Sequence, residues 1–198
     1  MLQDFIKECE RFVAVRRHKM RRNGARHCPE LAAPWACIGR GHFGEAWEHD
    51  DYHGLVLKIS GRAGWGSDRT HYGVHGTDCS RLDAWPVFAR HCMAHPHKHL
   101  PTVLHVQDVS QGMTWGVLNR LYSSGGYTDK YEFINVCERA LAGHRVGPQW
   151  LWPLRQMVDA LGVGVDVHTG NVMYDRKAEC FVLTDPFSFK EGDGDYAY

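Results

Sequence analysis

An apolar run that ends in an aspartate, Val165-Asp166-Val167-His168-Thr169-Gly170-Asn171-Val172-Met173, is followed by a second run into another aspartate, Phe181-Val182-Leu183-Thr184-Asp185-Pro186. Asn171 stands five positions after Asp166, and a strand-like segment separates it from Asp185. This stretch constrains the chain more than any other. Two turns that each deliver short oxygen-bearing side chains must be held together by the hydrophobic strand between them. One carboxylate of such a set can orient or deprotonate a hydroxyl. An amide oxygen and a second carboxylate suit a hard divalent cation. Either half alone is common in proteins; in this order they are the parts that phosphoryl transfer requires.

The N-terminal third supplies the complementary half. Trp35-Ala36-Cys37-Ile38-Gly39-Arg40-Gly41-His42-Phe43-Gly44-Glu45-Ala46-Trp47 reads as two strands joined by a glycine-rich turn, and Gly54-Leu55-Val56-Leu57-Lys58-Ile59 as a third strand. Gly39, Gly41 and Gly44, with Phe43 among them, allow backbone N–H groups to approach phosphate oxygens without Cβ interference. A dinucleotide fingerprint is excluded because no long helical pattern follows the glycines. Lys58 lies among apolar neighbours fourteen positions after Gly44, where nucleotide phosphates would supply its charge partner. The reading expects an acidic side chain beside that lysine on the following helix, expected near 80–90. Asp83 is the first choice and Asp78 the second. Pro86 moves the expected helix start toward Ala84, which would make Asp83 an N-cap instead.

Leu2 to Met20 carries Phe5, Ile6, Cys9, Phe12, Val13 and Arg16 at helical spacing. The basic cluster Arg16, Arg17, Lys19, Arg21, Arg22 and Arg26 reads as a solvated helix face, and it leaves contact with nucleic acid or an acidic partner open. Leu100–Val106 and Met113–Leu118 read as two further strands, completing a five-stranded antiparallel sheet. Asn119-Arg120-Leu121 then forms a hinge whose backbone, at Asn119 and Leu121, would meet an adenine edge. Two helices are expected over Asp129–Leu141 and Gln149–Leu161. Their apolar faces would be Tyr131, Ile134, Val136, Cys137 and Leu141, then Leu151, Leu154, Met157, Val158 and Leu161, with Gly143 and Gly162 as C-terminal stops. His91, His95, His97 and His99 form a histidine-dense stretch that Pro96 and Lys98 mark as an exposed loop rather than a metal face.

The 198 residues suffice for one domain of two lobes. Apolar residues at 43% and a formal net charge of zero fit a chain with a real core and no global field toward nucleic acid or membrane. The seven cysteines occur singly, without C-x-x-C pairs, which fits a reduced cytoplasmic protein better than a disulfide framework or zinc ribbon. No apolar run approaches the length of a membrane span. The expected class is α+β: residues 1–34 an amphipathic helix and basic segment, 35–118 an N-lobe sheet with a helix, and 119–198 a minimal helical C-lobe.

Gly39-Arg40-Gly41-His42-Phe43, Val56-Leu57-Lys58, Asp166-Val167-His168-Thr169-Gly170-Asn171 and Thr184-Asp185-Pro186-Phe187-Ser188-Phe189 resemble the early serine/threonine protein kinase of T-seven-like bacteriophages. The resemblance spans roughly Trp35 to Gly194. It implies a two-lobed protein-kinase-like fold and an enzyme that uses ATP and Mg²⁺ (or Mn²⁺) to phosphorylate host proteins in the infected bacterial cytoplasm. Asp166 would be the catalytic carboxylate, Asn171 and Asp185 the metal ligands, and Lys58 the phosphate clamp. His168 would contact the γ-phosphate or stabilise the loop.

Departures from ordinary protein kinases matter as well. His168 replaces the usual Lys, a form shared with aminoglycoside and choline kinases, so a small-molecule acceptor remains an alternative. Only 13 residues follow Asp185, so no activation segment or later C-lobe helices are expected within this sequence. A non-catalytic binder acting through the basic helix is the third class, disfavoured by the intact set Lys58, Asp166, Asn171 and Asp185. Ser188, three positions past Asp185, would be either a self-phosphorylation site or a turn cap.

Overall fold

The computed structural model describes residues 1–23, 33–40, 44–61, 84–109, 113–144 and 147–189, with the side chains of 17–23 and 189 outside that description. The chain is α+β and divides into two compact units, Met1–Met93 with Thr102–Arg120, and Ala94–Pro101 with Leu121–Tyr198.

The first unit is built on an antiparallel sheet. Its strands are β1 (Trp35–Arg40), β2 (Gly44–His49), β3 (Leu55–Ser60), β4 (Val103–Val109) and β5 (Met113–Asn119), in the spatial order β1-β2-β3-β5-β4. This is the five-stranded sheet that the alternating apolar runs predict. Alternation along β2 sends Glu45, Trp47 and His49 to one face and Ala46 and Glu48 to the other. The first face carries α1 (Leu2–Asn23), whose Phe5, Ile6, Cys9, Phe12 and Val13 form one core with Trp35, Trp47, Leu57, Ile59, Trp115 and Val117. Phe12 lies between two indoles, with ring centroids 4.4 Å from Trp35 and 5.0 Å from Trp47. The helix thus folds onto the sheet through the same residues that give it helical periodicity.

The basic cluster behaves otherwise than a solvated face at its first member. Arg16 is 3% exposed, and its guanidinium donates to Glu45 through Nε (3.1 Å) and Nη2 (2.5 Å). Trp47 Nε1 also donates to Glu45, at 3.1 Å. A desolvated arginine at the edge of the α1 stripe is stable here because a bidentate carboxylate meets it. The later residues of the cluster have side chains outside the described set.

α2 (Trp85–Ala94) begins at Trp85, the later of the two starts read from the sequence, with Pro86 in its first turn where a missing N–H costs nothing. Asp83 and Asp78 lie outside the described residues.

The second unit contains α3 (Lys130–Leu141), a 3₁₀ turn at Gln149–Leu151 leading into α4 (Trp152–Leu161), and short strands. These are β6 (Tyr122–Ser123), β7 (Val163–Val165), β8 (Val172–Asp175), β9 (Cys180–Leu183) and β10 (Phe187–Phe189). Gly162 closes α4 in the left-handed conformation, and Gly143, also at positive φ, follows α3. The inner face of α3 is Lys130, Ile134, Cys137 and Leu141. Tyr131 (64% exposed) and Val136 (37%) lie off it, contrary to expectation. The buried 130, 134, 137, 141 set keeps the i, i+4, i+3, i+4 rhythm that the two exposed residues break, and hydrophobicity alone misassigned them.

His97 and His99 are half-buried, not loop-exposed as expected. His97 stacks on Trp150 with centroids 5.1 Å apart. His99 Nδ1 meets the Phe181 carbonyl at 2.8 Å, and Leu183 N–H donates to the His99 carbonyl at 3.0 Å. Phe133 joins both His99 and Phe181, at 5.4 and 5.6 Å. The histidine stretch therefore braces β9, the strand that leads into Asp185. No described helix is long and apolar enough to cross a membrane.

Candidate functional site

Each unit carries its own set of chemistry-bearing residues. In the first, β1 and β2 pair in register up to Arg40↔Glu45, with a bulge between Cys37 and Gly39. That closing pair frames the glycine-rich turn; Gly41 and Phe43 fall outside the described residues. The two framing glycines differ in what they do. A Cβ at Gly44 would stand 2.3 Å from the Ile59 carbonyl oxygen, so the β2–β3 approach itself demands glycine there. At Gly39 a Cβ would only touch Ala46 Cβ at 3.8 Å, an ordinary contact. The sheet therefore explains Gly44 and does not explain Gly39.

Lys58 sits on β3, on the face opposite α1, with Ala46 and Gly116 as its cross-strand partners. Its Nζ lies 4.8 Å from the centre of the Trp85 ring. The indole at the start of α2 is a neighbour of this lysine that the sequence reading does not include, and the expected acidic partners Asp83 and Asp78 lie outside the described residues. The signal was there, since Trp85 is the first apolar residue of that helix. At the hinge, Asn119 N–H donates to the Thr102 carbonyl (3.0 Å) and Arg120 N–H to that of Gly54 (2.8 Å). These bonds commit both donors to the fold.

In the second unit, β7 and β10 pair antiparallel, Val165 opposite Phe187 and Gly164 opposite Ser188. The ladder continues one step to Asp166 N–H, which donates to the Pro186 carbonyl at 2.8 Å. β8 and β9 pair with Val172 opposite Leu183, and Thr184 N–H and Oγ1 donate to the Asn171 carbonyl at 2.9 and 3.0 Å. Two short ladders thus bring the Asp166–Asn171 turn and the Thr184–Pro186 turn side by side, as the sequence pattern requires. Within the first turn, Asn171 Nδ2 donates to the Asp166 carbonyl (2.9 Å) and to its Oδ2 (3.3 Å). Asn171 is therefore oriented by Asp166, and its Oδ1 is the atom that remains to be offered to a ligand.

His168 is fixed by its own turn. Gly170 N–H donates to Nδ1 at 2.9 Å, which puts the ring proton of the neutral imidazole on Nε2, 3.7 Å from Asp166 Oδ1. A Cβ at Gly170 would come within 2.8 Å of His168 Cε1, so glycine is what lets the ring fold over this N–H. Burial holds the Asp166 carboxyl above the ordinary aspartate range. The His168 side chain and the Asn171 hydrogen bond pull it down, and the charge of Asp185 pushes it further up. A half-buried carboxyl beside a second negative charge is a natural place for a cation.

Among the described residues, no group of three or more His, Cys, Asp or Glu is disposed to hold a metal ion. A cation here would take Asn171 and Asp185 and fill its remaining positions with phosphate oxygens and water. Mg²⁺ favours that arrangement, and the all-oxygen donor pair fits it.

Ser188 lies within β10, not at a turn cap. A Cβ at Gly164, its partner across the ladder, would be 2.9 Å from Ser188 Oγ, so the serine hydroxyl occupies the space that glycine leaves.

No protein-family model matches the chain, and no curated protein matches it. Solved structures similar to it include the granulovirus kinase PK-1 of Cydia pomonella granulovirus, with 11% identity over 76% of this chain and 52% of that one, at a TM-score of 0.38. The autoinhibited serine kinase domain of the giant muscle protein titin gives 13%, 78%, 45% and 0.35. WbdD bound to a kinase inhibitor gives 17%, 76%, 31% and 0.33. The chain spans about half of these structures or less. Likeness at these TM-scores carries no argument by itself, and the fold stands on the strand order and ladders described above.

Proposed function

We propose that the chain is an ATP-dependent phosphotransferase of protein-kinase type that transfers the γ-phosphate to serine or threonine hydroxyls of proteins. The observation that carries the reading is the second unit's loop pair. It places Asp166, Asn171 and Asp185 on adjoining turns, with the amide nitrogen of Asn171 spent on Asp166. Asp166 holds the acceptor hydroxyl and takes up its proton. Asn171 and Asp185 hold Mg²⁺, which supplies charge neutralisation on the phosphate oxygens when bound. Lys58 binds the nucleotide phosphates, and Gly39, Gly41 and Gly44 supply backbone donors. His168, whose Nε2 lies 3.7 Å from Asp166 Oδ1, offsets part of the upward push that burial gives that carboxyl. Most of the rate enhancement then comes from positioning and electrostatics.

By the resemblance to the phage kinases, the acceptors are host proteins met early in infection. Ser188 is a candidate for self-phosphorylation, whose added charge beside the nucleotide site would oppose ATP binding.

The test is transfer of labelled γ-phosphate from ATP with Mg²⁺ into a bacterial lysate. Discrete labelled proteins with the wild type, lost with Asp166→Asn while ATP binding persists, support the reading. ATP consumption that responds to an amino alcohol or aminoglycoside, with no labelled protein, moves the acceptor to a small molecule. Nucleotide binding without turnover of any kind overturns the enzyme reading.

A further inference from the structure

We infer that Trp85 is a positioning residue for Lys58, an aromatic floor that fixes the ammonium where it meets phosphate. The inference rests on the phosphotransferase reading of Lys58 and deepens it. Three observations converge on one socket within the first unit. Lys58 Nζ stands over the indole at 4.8 Å from the ring centre, inside the range of cation–π attraction. Trp85 itself is 0% exposed, at the start of α2, so its ring is held by the core and is not free to swing away. The cross-strand neighbours of Lys58 are Ala46 on one side and Gly116 on the other, and the Gly116 position is open only because it lacks a side chain. A Cβ there would meet Trp85 Cη2 at 2.9 Å and the His105 carbonyl oxygen at 2.8 Å. The sheet has been left bare at the point where the indole lies against it.

The physical consequence concerns charge as well as place. A lysine on a four-carbon stem needs restraint to act as a fixed phosphate ligand. A π face attracts the ammonium without carrying a net negative charge and uses none of its N–H donors in conventional hydrogen bonds. Desolvation by a buried indole strengthens the attraction. This role is independent of whatever other groups surround the lysine.

The test is a double-mutant cycle on ATP kinetics with the full chain: Lys58→Met, Trp85→Leu, the pair together, and Trp85→Phe. Trp85→Leu should raise KM for ATP by roughly 3- to 30-fold, the factor a desolvated cation–π contact supports, with kcat moving less. It should add nothing further in the Lys58→Met background, and Trp85→Phe should recover most of the affinity. Because a buried tryptophan is also part of the core, site-specific fluorinated tryptophans at position 85 give a reading at constant shape. Log KM should climb with each fluorine that drains the π face. A flat fluorination series, or a Trp85→Leu effect as large without Lys58 as with it, overturns the inference and leaves the clamp reading standing. If Lys58→Met itself leaves ATP affinity unchanged, the clamp reading falls and the role of Trp85 falls with it.

Discussion

Glycines 39 and 44 bracket the same turn, yet a single methyl would have different effects at the two. Gly44→Ala drives its Cβ into the Ile59 carbonyl at 2.3 Å, so β2 and β3 must separate. We expect a stability loss of about 1–3 kcal/mol by urea unfolding, with any effect on ATP following from it. Gly39→Ala has room, so its unfolding midpoint should stay within about 0.5 kcal/mol of wild type. If the Gly39 backbone serves phosphate, KM for ATP should nevertheless rise. A destabilised Gly39→Ala protein with unaltered KM would show that this glycine belongs to the sheet. The same residue-by-residue logic explains what the sequence revealed and what it hid. That the turns bearing Asp166, Asn171 and Asp185 adjoin was legible because hydrogen-bonded turns and ladders act over short separations, where spacing is a faithful record of geometry. Trp85 was hidden because a lysine on a strand suggests a partner of opposite charge, and a π face within reach of it leaves no mark in residue spacing. Arg16 was misread because a cluster of like charges suggests solvent, and only the strand 29 positions away reveals the carboxylate that buries it.

At the level of elements, α1 and the sheet form one body joined by a greasy seam and an ion pair at its end. The seam was readable from helical periodicity, but which surface it would cover was not, because any apolar face satisfies such a stripe. The ion pair makes the sharper prediction. Arg16→Ala leaves Glu45 buried with the Trp47 Nε1 hydrogen bond and the longer Arg40 Nε contact at 3.8 Å, and should cost up to about 3 kcal/mol in urea unfolding, the low end for a broken buried pair. Arg16→Met with Glu45→Gln removes both charges and keeps an acceptor for Trp47, so it should recover most of that loss. Failure of the double variant to recover would mean that the pair contributes more than the cost of its own desolvation. In the second unit, the strands β7 to β10 are only three or four residues each. Their short length explains why the sequence suggested turns around the aspartates more clearly than the ladders that hold them.

Across the whole molecule, thiol chemistry offers a readout of both units at once. Burial pushes the Cys92 and Cys137 thiols up to about 12 and the Cys9 thiol further. In native protein, a thiolate-selective reagent at neutral pH should spare these three and, among the described cysteines, modify the half-buried Cys37 first, mapped by peptide mass. Cys9 and Cys92 report on the first unit and Cys137 on the second, so their protection in rising urea follows each unit separately. Modification of Cys137 ahead of Cys37 in buffer would contradict the packing of α3.

The Arg16–Glu45 pair also bears on how this chain can change over generations. Loss of Glu45 takes from the buried Arg16 the carboxylate it meets, and loss of Arg16 leaves Glu45 only the longer Arg40 contact of the two ion pairs, so single steps away from the pair cross a valley of poorer folders. Positions 16 and 45 are therefore expected to covary in descendants of this sequence, both charged or both neutral. A lineage that has lost one should carry the compensating change at the other. The helix and the glycine-rich hairpin would then be inherited as one unit, although 29 positions separate the two residues that bind them.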